Sequence, residues 1–415
     1  MTEDDSPISF DEDEEQRMER LLADTEYDTD LGMEMAKDAQ RVTAGELNEA
    51  EFYRKYHERI LDEFGEDARE LDELLEGLEA DTLDEAAENG TLSDRLTELA
   101  DGEDLSRREV MKKGGAAALA LGMITSAGGG GASAAEEPEQ NGTRYGMTIN
   151  LNNCDGCLAC MVACQEEHGT SRGANWMYVF TYEDEDQGDE NFLVRPCQHC
   201  TDSACTKVCP VGARHTREQD GLVLTDYEIC IGCRYCEVSC PYGVNYFQWG
   251  EPDVPDSEID DDHQYDERGK WVGARPPKGV MGKCTFCVDR QDGQMGEDKI
   301  GTTACEEACA MDAIHFGDLN DPESAPNQHL KEYKNQQEND LSTYPDRKEH
   351  TVSTFELLEE RGTNPNVRYI GNEPSQHARQ VEGPVAYEDV GIVDNRKEEV
   401  LANGAMANEN GGENA

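Results

Sequence analysis

The chain has 415 residues, and its 36 Lys and Arg stand against 92 Asp and Glu, a formal charge of −56. Such a surface is not drawn to nucleic acid or anionic lipid at ordinary salt. It fits a halophile, because molar salt cuts the Debye length to about 3 Å and screens the self-repulsion. Length allows two or three domains, but a hydrophobic fraction of 36% implies a modest apolar core.

Residues 1–14 are acidic and predict disorder. From about Glu15 to Leu99 the pattern is helical, within an acidic N-terminal segment of residues 1–105. Asn48 with Glu51 three residues on resembles a helix start. Phe52, Tyr56, Ile60 and Phe64 then recur on one face. Either a small helical bundle packs this stripe, or the stripe docks a maturation factor. His57 is isolated and predicts a surface or edge position.

Residues 106–135 change character. Arg107 and Arg108 precede Met111-Lys-Lys, then fourteen small or apolar residues from Gly114 to Ala127, a glycine run and Ala132-Ser133-Ala134. This resembles a twin-arginine export signal with an A-x-A cleavage site, and predicts export to the extracytoplasmic face of the membrane. Fourteen residues are too few to span roughly 30 Å of hydrocarbon as a helix. About a hundred residues precede the arginines, where such a signal normally sits near the start. Either the true start lies further on, or the helical segment is a long cytoplasmic pre-region. An Arg-Arg pair before a plain Ala/Gly linker is the structural alternative.

Beyond Ala135, Tyr145 to Leu151 predicts a strand, Trp176 to Tyr182 an aromatic strand, and Glu183 to Glu190 an acidic turn. All 16 cysteines then fall in four groups. The first is Cys154, Cys157, Cys160 and Cys164. The second is Cys197, Cys200, Cys205 and Cys209, followed by a predicted hairpin with Asp220-Gly221 at its turn. The third is Cys230, Cys233, Cys236 and Cys240, with a strand expected over Val244 to Trp249. Residues 251–280 are a polar insertion. The fourth group is Cys284, Cys287, Cys305 and Cys309, followed by a short strand over Ala313 to Phe316. The tail, 318–415, reads as acidic extended polypeptide, with one or two helical turns over Phe355 to Glu360. No apolar run in it is long enough for a membrane span, so a membrane role requires another subunit.

The run Cys230-Ile-Gly-Cys-Arg-Tyr-Cys-Glu-Val-Ser-Cys-Pro241 is the ligand pattern of a [4Fe–4S] ferredoxin. Three closely spaced thiols reach one cubane, and the fourth, a helical turn on, points to a neighbour. Disulfide frameworks have no reason to repeat C-x2-C-x2-C-x3-C. Zinc usually takes two C-x2-C pairs, which the triplets do not supply. Groups one and three share one spacing and groups two and four another, an internal repeat. Crossing the ligands gives four clusters. The first takes Cys154, Cys157, Cys160 and Cys309. The second takes Cys284, Cys287, Cys305 and Cys164. The third takes Cys197, Cys200, Cys205 and Cys240, and the fourth Cys230, Cys233, Cys236 and Cys209. The expected fold is α+β, with two nested ferredoxin-like modules. The outer one is residues 144–196 with 281–317, and the inner one residues 197–250.

Gly156 and Gly232 are candidates to aim backbone N–H groups at sulfur, or are needed only for the turn. Tyr235, Tyr242, Phe286 and Phe316 either shield the clusters from water or serve as ordinary core. His199, alone in C-Q-H-C, does not supply a Rieske ligand set and predicts a surface or packing role. No dinucleotide fingerprint, Walker A motif or H-E-x-x-H is present, so no catalytic residue is assigned.

C-D-G-C-L-A-C-M-V-A-C, R-P-C-Q-H-C, C-I-G-C-R-Y-C-E-V-S-C-P-Y-G and K-C-T-F-C-V-D-R resemble the four-cluster electron-transfer subunits of molybdopterin oxidoreductases. Polysulfide reductase, DMSO reductase and the iron–sulfur protein of nitrite-reduction complexes are examples. F-G-D-L-N-D-P and L-L-E-E-R-G-T-N-P-N-V-R-Y-I extend the likeness, which covers about residues 144–371. The resemblance implies a molybdopterin-containing catalytic subunit on one side and a quinone-interacting integral membrane subunit on the other. The chain itself would be a non-catalytic wire. Cys233 stands where a related subunit loses a thiol to form a three-iron cluster, so four cubanes are implied. Ala310 after Cys309 departs from the frequent proline, and residues 15–99 lie outside the motifs. The same wire in a hydrogenase or a cytochrome–quinone complex is the alternative.

Overall fold

The computed structural model describes residue 10 and residues 12–69, 142–184, 188–343, 354–375 and 377–393. The described residues belong to one compact unit. The export-signal segment 106–135 and the helical pattern past residue 69 lie outside them.

The N-terminal part forms three helices. Helix α1 spans Glu12–Leu22, starting three residues inside the stretch expected to be disordered. Helix α2, Thr29–Thr43, is capped by Asp28, whose carboxylate accepts from the Leu31 N–H. Helix α3, Glu49–Phe64, starts at Asn48, whose side chain accepts from the N–H groups of Ala50 and Glu51. It ends on Gly65 in the left-handed conformation that a helix C-terminus favours. Phe52, Tyr56 and Ile60 on α3 are fully buried, as are Met35 and Ala39 on α2, the helix α3 packs against. The bundle reading of this stripe holds. His57 is partly exposed and pairs with Asp67 at 3.0 Å.

The rest of the chain is α+β. In chain order it gives β1 (Tyr145–Asn150), α4 (Ala159–His168), β2 (Met177–Asp184), β3 (Gly188–Pro196) and α5 (Ala204–Lys207). Then come β4 (Arg214–Thr216), β5 (Val223–Thr225), α6 (Tyr235–Val238), β6 (Tyr246–Phe247), α7 (Asp261–Gln264), β7 (Met281–Gly282), α8 (Val288–Gln291) and α9 (Ala304–Glu307). The chain continues through β8 (Ile314–Asp318), α10 (Ala325–Thr343), β9 (Thr354–Phe355), β10 (Val367–Ile370) and β11 (Arg379–Val381).

Strand β1 is buried at all six positions, because its sheet, in the order β8-β1-β10-β9, is covered on both faces. It runs antiparallel to β8 and parallel to β10. The aromatic strand β2 pairs with β3 on one side and β11 on the other. Strands β4 and β5 form the hairpin expected at Asp220-Gly221, where Gly221 takes φ +75°.

The structure corrects three sequence readings. The strand expected over Val244 to Trp249 shrinks to the two residues of β6, paired with β7. The one or two helical turns expected over Phe355 to Glu360 reduce to a single 3-10 turn displaced to Glu359–Arg361, since Phe355 ends β9. The region after Asp318 is more ordered than its low hydrophobicity suggests. It contributes α10, whose start is tied to β1 by the Thr148 hydroxyl donating to the Pro326 carbonyl at 3.0 Å, and strands for both larger sheets.

Candidate iron–sulfur sites

The third residue of every cysteine group adopts the left-handed conformation: Gly156 at φ +69°, His199 at +41°, Gly232 at +70° and Phe286 at +56°. In each group the N–H of that same residue points at the first sulfur. His199 N–H approaches Cys197 Sγ at 3.5 Å. Backbone N–H groups of Gly156, Gly232 and Phe286 lower the pKa of Cys154, Cys230 and Cys284 in the same way, against the larger effect of burial. Two of these positions also need the absence of a side chain. A Cβ on Gly232 would collide with the Gly279 carbonyl, and one on Gly156 with the Phe192 ring. Both sequence readings of these glycines therefore hold. The other two reversals are made by residues with side chains. His199 and Phe286 stack on each other at 3.8 Å between centroids.

After each reversal a short helix presents the next thiols: Cys160 and Cys164 on α4, Cys205 on α5, Cys236 on α6, and Cys305 on α9. The last cysteines of groups two and four precede matching left-handed turns, at Gly212 (φ +65°) and Asp312 (φ +53°). These turns bring the N–H of Arg214 to Cys209 Sγ and the N–H of Ala313 to Cys309 Sγ, each at 3.3 Å. Ala310 in place of proline leaves that loop intact.

The thiols expected to share a cluster lie within electrostatic reach of one another. Cys154 and Cys160 have Cys157 and Cys309 as electrostatic neighbours. Cys287 has Cys305 and Cys164, and Cys164 has Cys284. Cys200 has Cys197, Cys205 and Cys240. Cys233 has Cys209, Cys236 and Cys230. Contacts also run from one quartet to the next. Cys160 feels Cys305, Cys284 feels Cys197, and Cys205 feels Cys236. Electrostatic contact therefore runs continuously from Cys154 and Cys160 to Cys233 and Cys209.

All sixteen cysteines are free, so disulfides do not account for them. Among the described residues no three His, Cys, Asp or Glu side chains are placed to hold a single metal ion. Zinc bonds of about 2.3 Å would need sulfurs within about 4 Å of one another. The C-x2-C-x2-C triplets suit a polynuclear cluster. Burial, followed by the neighbouring sulfurs, pushes Cys154 up to about 11 and Cys284 up to about 12. Burial likewise pushes Cys205 up to about 12, where Arg214 partly offsets it. Thiols this crowded ionise only when a cation arrives with them.

The groups around the quartets fit such a cofactor. A cavity is lined by Cys209, Cys230, Cys233 and Cys236 together with Gly232 and Arg214. The fully buried Arg214 holds Nη2 3.7 Å from Cys236 Sγ, while its Nε and Nη1 find no hydrogen-bond partner. Cluster sulfides are the natural acceptors for such donors. Lys283, also buried, donates to the carbonyls of Cys284 and Val223. Its pKa is lowered by burial, against the pull of Cys197 and Cys284. His168 lies 3.3 Å from Cys287 Sγ under Trp176. Tyr235, Tyr242, Phe286 and Phe316 are all buried around the thiols. Sequence reasoning placed His199 at the surface or in packing. It is in the core, bonded to the Cys284 carbonyl at 2.9 Å and accepting from Val223 N–H at 3.1 Å. Arg214, Lys283 and His168 were not singled out from sequence. Only their proximity to cysteines could have flagged them.

Residues 8–72 match a family model described as the N-terminal region of 4Fe-4S ferredoxin iron-sulfur binding, and residues 189–256 one described as a 4Fe-4S dicluster domain. The helical segment that the cysteine motifs left unexplained is thus itself found with ferredoxins. A dimethyl sulfoxide reductase iron–sulfur subunit of Halobacterium salinarum is 36% identical over 248 residues, 56% of this chain and 81% of that protein. The iron–sulfur cluster-binding subunit of menaquinone reductase from Nitratidesulfovibrio vulgaris is 35% identical, over 55% of this chain and 88% of that protein. The iron–sulfur subunit of an arsenate respiratory reductase from a Shewanella species is 33% identical, over 55% and 96%. The sixteen thiols suffice for four [4Fe–4S] clusters, the cofactors this chain carries. The chain belongs to the family of iron–sulfur electron-transfer subunits that these reductase proteins represent.

Proposed function

We propose that the chain is a non-catalytic wire relaying single electrons between a quinone-linked integral membrane subunit and a molybdopterin-containing catalytic subunit. What supports this reading is the continuous electrostatic contact from thiol to thiol, through Cys160 and Cys305, Cys284 and Cys197, and Cys205 and Cys236. In this reading Cys154, Cys157, Cys160 and Cys309 hold the first cluster, and Cys284, Cys287, Cys305 and Cys164 the second. Cys197, Cys200, Cys205 and Cys240 hold the third, and Cys230, Cys233, Cys236 and Cys209 the fourth. When bound, each supplies one-electron redox chemistry. The chain's own residues set the distance between neighbours, exclude water with aromatic rings, and aim N–H groups at sulfur.

No helix among the described residues is long and apolar enough to cross a membrane. Association with the membrane would come through the partner subunit, on the extracytoplasmic face if Arg107 and Arg108 direct export of the loaded protein. The first test is anaerobic purification from native membranes. A large molybdenum-containing subunit is expected to co-purify, with about sixteen irons per copy of this chain. A free, iron-poor monomer would overturn the proposal. Replacing Arg107 and Arg108 together by lysine is expected to leave the protein in the cytoplasmic fraction. Unchanged export would refute the signal.

A further inference from the structure

Arg214 lies on β4 between the third and fourth quartets. Its Nη2 is 2.8 Å from Asn245 Oδ1 and 3.7 Å from Cys236 Sγ, and its own N–H bonds Cys209 Sγ at 3.3 Å. The guanidinium also lies within electrostatic reach of Cys205 and Cys197. Arg217, three residues on and equally buried, is held by Asp220 and Asp292. No carboxylate among the described residues forms an ion pair with Arg214, and two of its nitrogens find no hydrogen-bond partner. A permanently charged group is not kept in a protein interior without an opposing charge. The opposing charge here is that of the thiolates on both sides.

Resting on the cluster assignment above, we propose that Arg214 is an electrostatic bridge between the third and fourth sites, raising the reduction potential of both. Reduction adds one electron and one unit of negative charge to a site, with no proton taken up. A fixed positive charge therefore stabilises the reduced form of whichever site it faces. The first and second sites have other charged neighbours, of both signs, including Lys283 beside Cys284 and Arg290 near Cys287. Asp155 adjoins Cys154 and Cys157, Glu167 adjoins Cys164, and Asp289 adjoins Cys287. The first and second sites are thus internal references in the same molecule. Arg214 is a positioning and tuning residue rather than a ligand.

The test is an EPR-monitored redox titration of the intact complex carrying Arg214→Gln or Arg214→Lys, with iron counted in each. In the glutamine variant two of the four signals are expected to move to lower potential. The shift should be at least tenfold in the one-electron equilibrium constant, about 59 mV, with the other two unmoved. The lysine variant, which keeps the charge but loses the guanidinium shape, should stay within that margin of the parent. Equal shifts in both variants, no shift, or a shift of all four signals would overturn the proposal. If the glutamine variant loses iron, the lysine variant decides. Full iron at parental potentials supports a requirement for charge, and parallel loss of iron assigns Arg214 to packing alone. A parent protein without four clusters would instead refute the reading on which the proposal rests.

Discussion

Removing the iron anaerobically, under reducing conditions, is expected to abolish the tertiary structure of residues 142–393 while leaving much helical signal. The reason lies in the lengths of the elements that carry the thiols. Helices α5, α6, α8 and α9 are four residues each. Isolated helices are marginal below about 12–15 residues, so these single turns persist only through what they hold. Ten of the cysteines are buried, and six of them, Cys160, Cys164, Cys197, Cys240, Cys284 and Cys305, sit in the core that includes residues of β1, β2 and β10. Without the clusters that core would keep crowded thiols, the buried charges of Arg214 and Lys283, and no compensating partner. Domain stabilities of about 5–15 kcal/mol leave no margin for that loss, since metal-binding free energy here is folding free energy. Near-UV circular dichroism should collapse and amide protection in β1 should disappear. Helices α2 and α3, at 15 and 16 residues, should retain part of the far-UV signal. Protection in β1 equal to that of the loaded protein would refute this account.

The same dependence explains what the sequence disclosed. Ligand positions are fixed by loops of a few residues, so C-x2-C-x2-C and C-x3-C are readable locally, and so are the left-handed turns at Gly156 and Gly232. The hairpin at Asp220-Gly221 and the Asn48 cap are local for the same reason. What stayed hidden depends on distant partners. Strand β10 pairs with β1 across more than two hundred residues of chain, in a tail whose composition is polar. Helix α10 has little apolar periodicity, and among its described side chains those near its start meet β1 and β8. Arg214 reads as an ordinary residue of a short strand, and its importance appears only once Cys236 and Cys205 are folded around it. The stripe on α3 announced a buried face, but not what would cover it.

What meets the N-terminal helices is the fourth quartet. Tyr235, which directly precedes Cys236, is fully buried, and its hydroxyl donates to the Asp28 carbonyl at 2.6 Å. Its ring lies against Gly32, where an added Cβ would come within 2.5 Å, and meets Phe64 edge-on at 5.7 Å. Lys207 bridges Glu49 and Asp202, and the Ala68 N–H bonds the Pro210 carbonyl next to Cys209 at 2.7 Å. Burial, followed by the Cys233 sulfur, raises the pKa of both Tyr27 and Tyr235, placing both rings close to that thiol. The helices therefore cap the fourth quartet, whereas Cys157 of the first is exposed. Gly32→Leu is expected to cost about 1–3 kcal/mol by overpacking and to loosen the cap. Deleting residues 1–69 should uncover Cys233. On exposure to air, about four of sixteen irons and one EPR signal should then be lost at least ten times faster than the others. Loss at one common rate for all four signals would show that the cap protects nothing in particular. Cutting the chain at a protease site placed within residues 70–141 provides the complementary measurement. Docked through Tyr235, Lys207 and Thr43, whose hydroxyl donates to the Arg361 carbonyl at 2.8 Å, the helices should co-elute with the body after cleavage. Separation of the pieces on gel filtration would refute that docking.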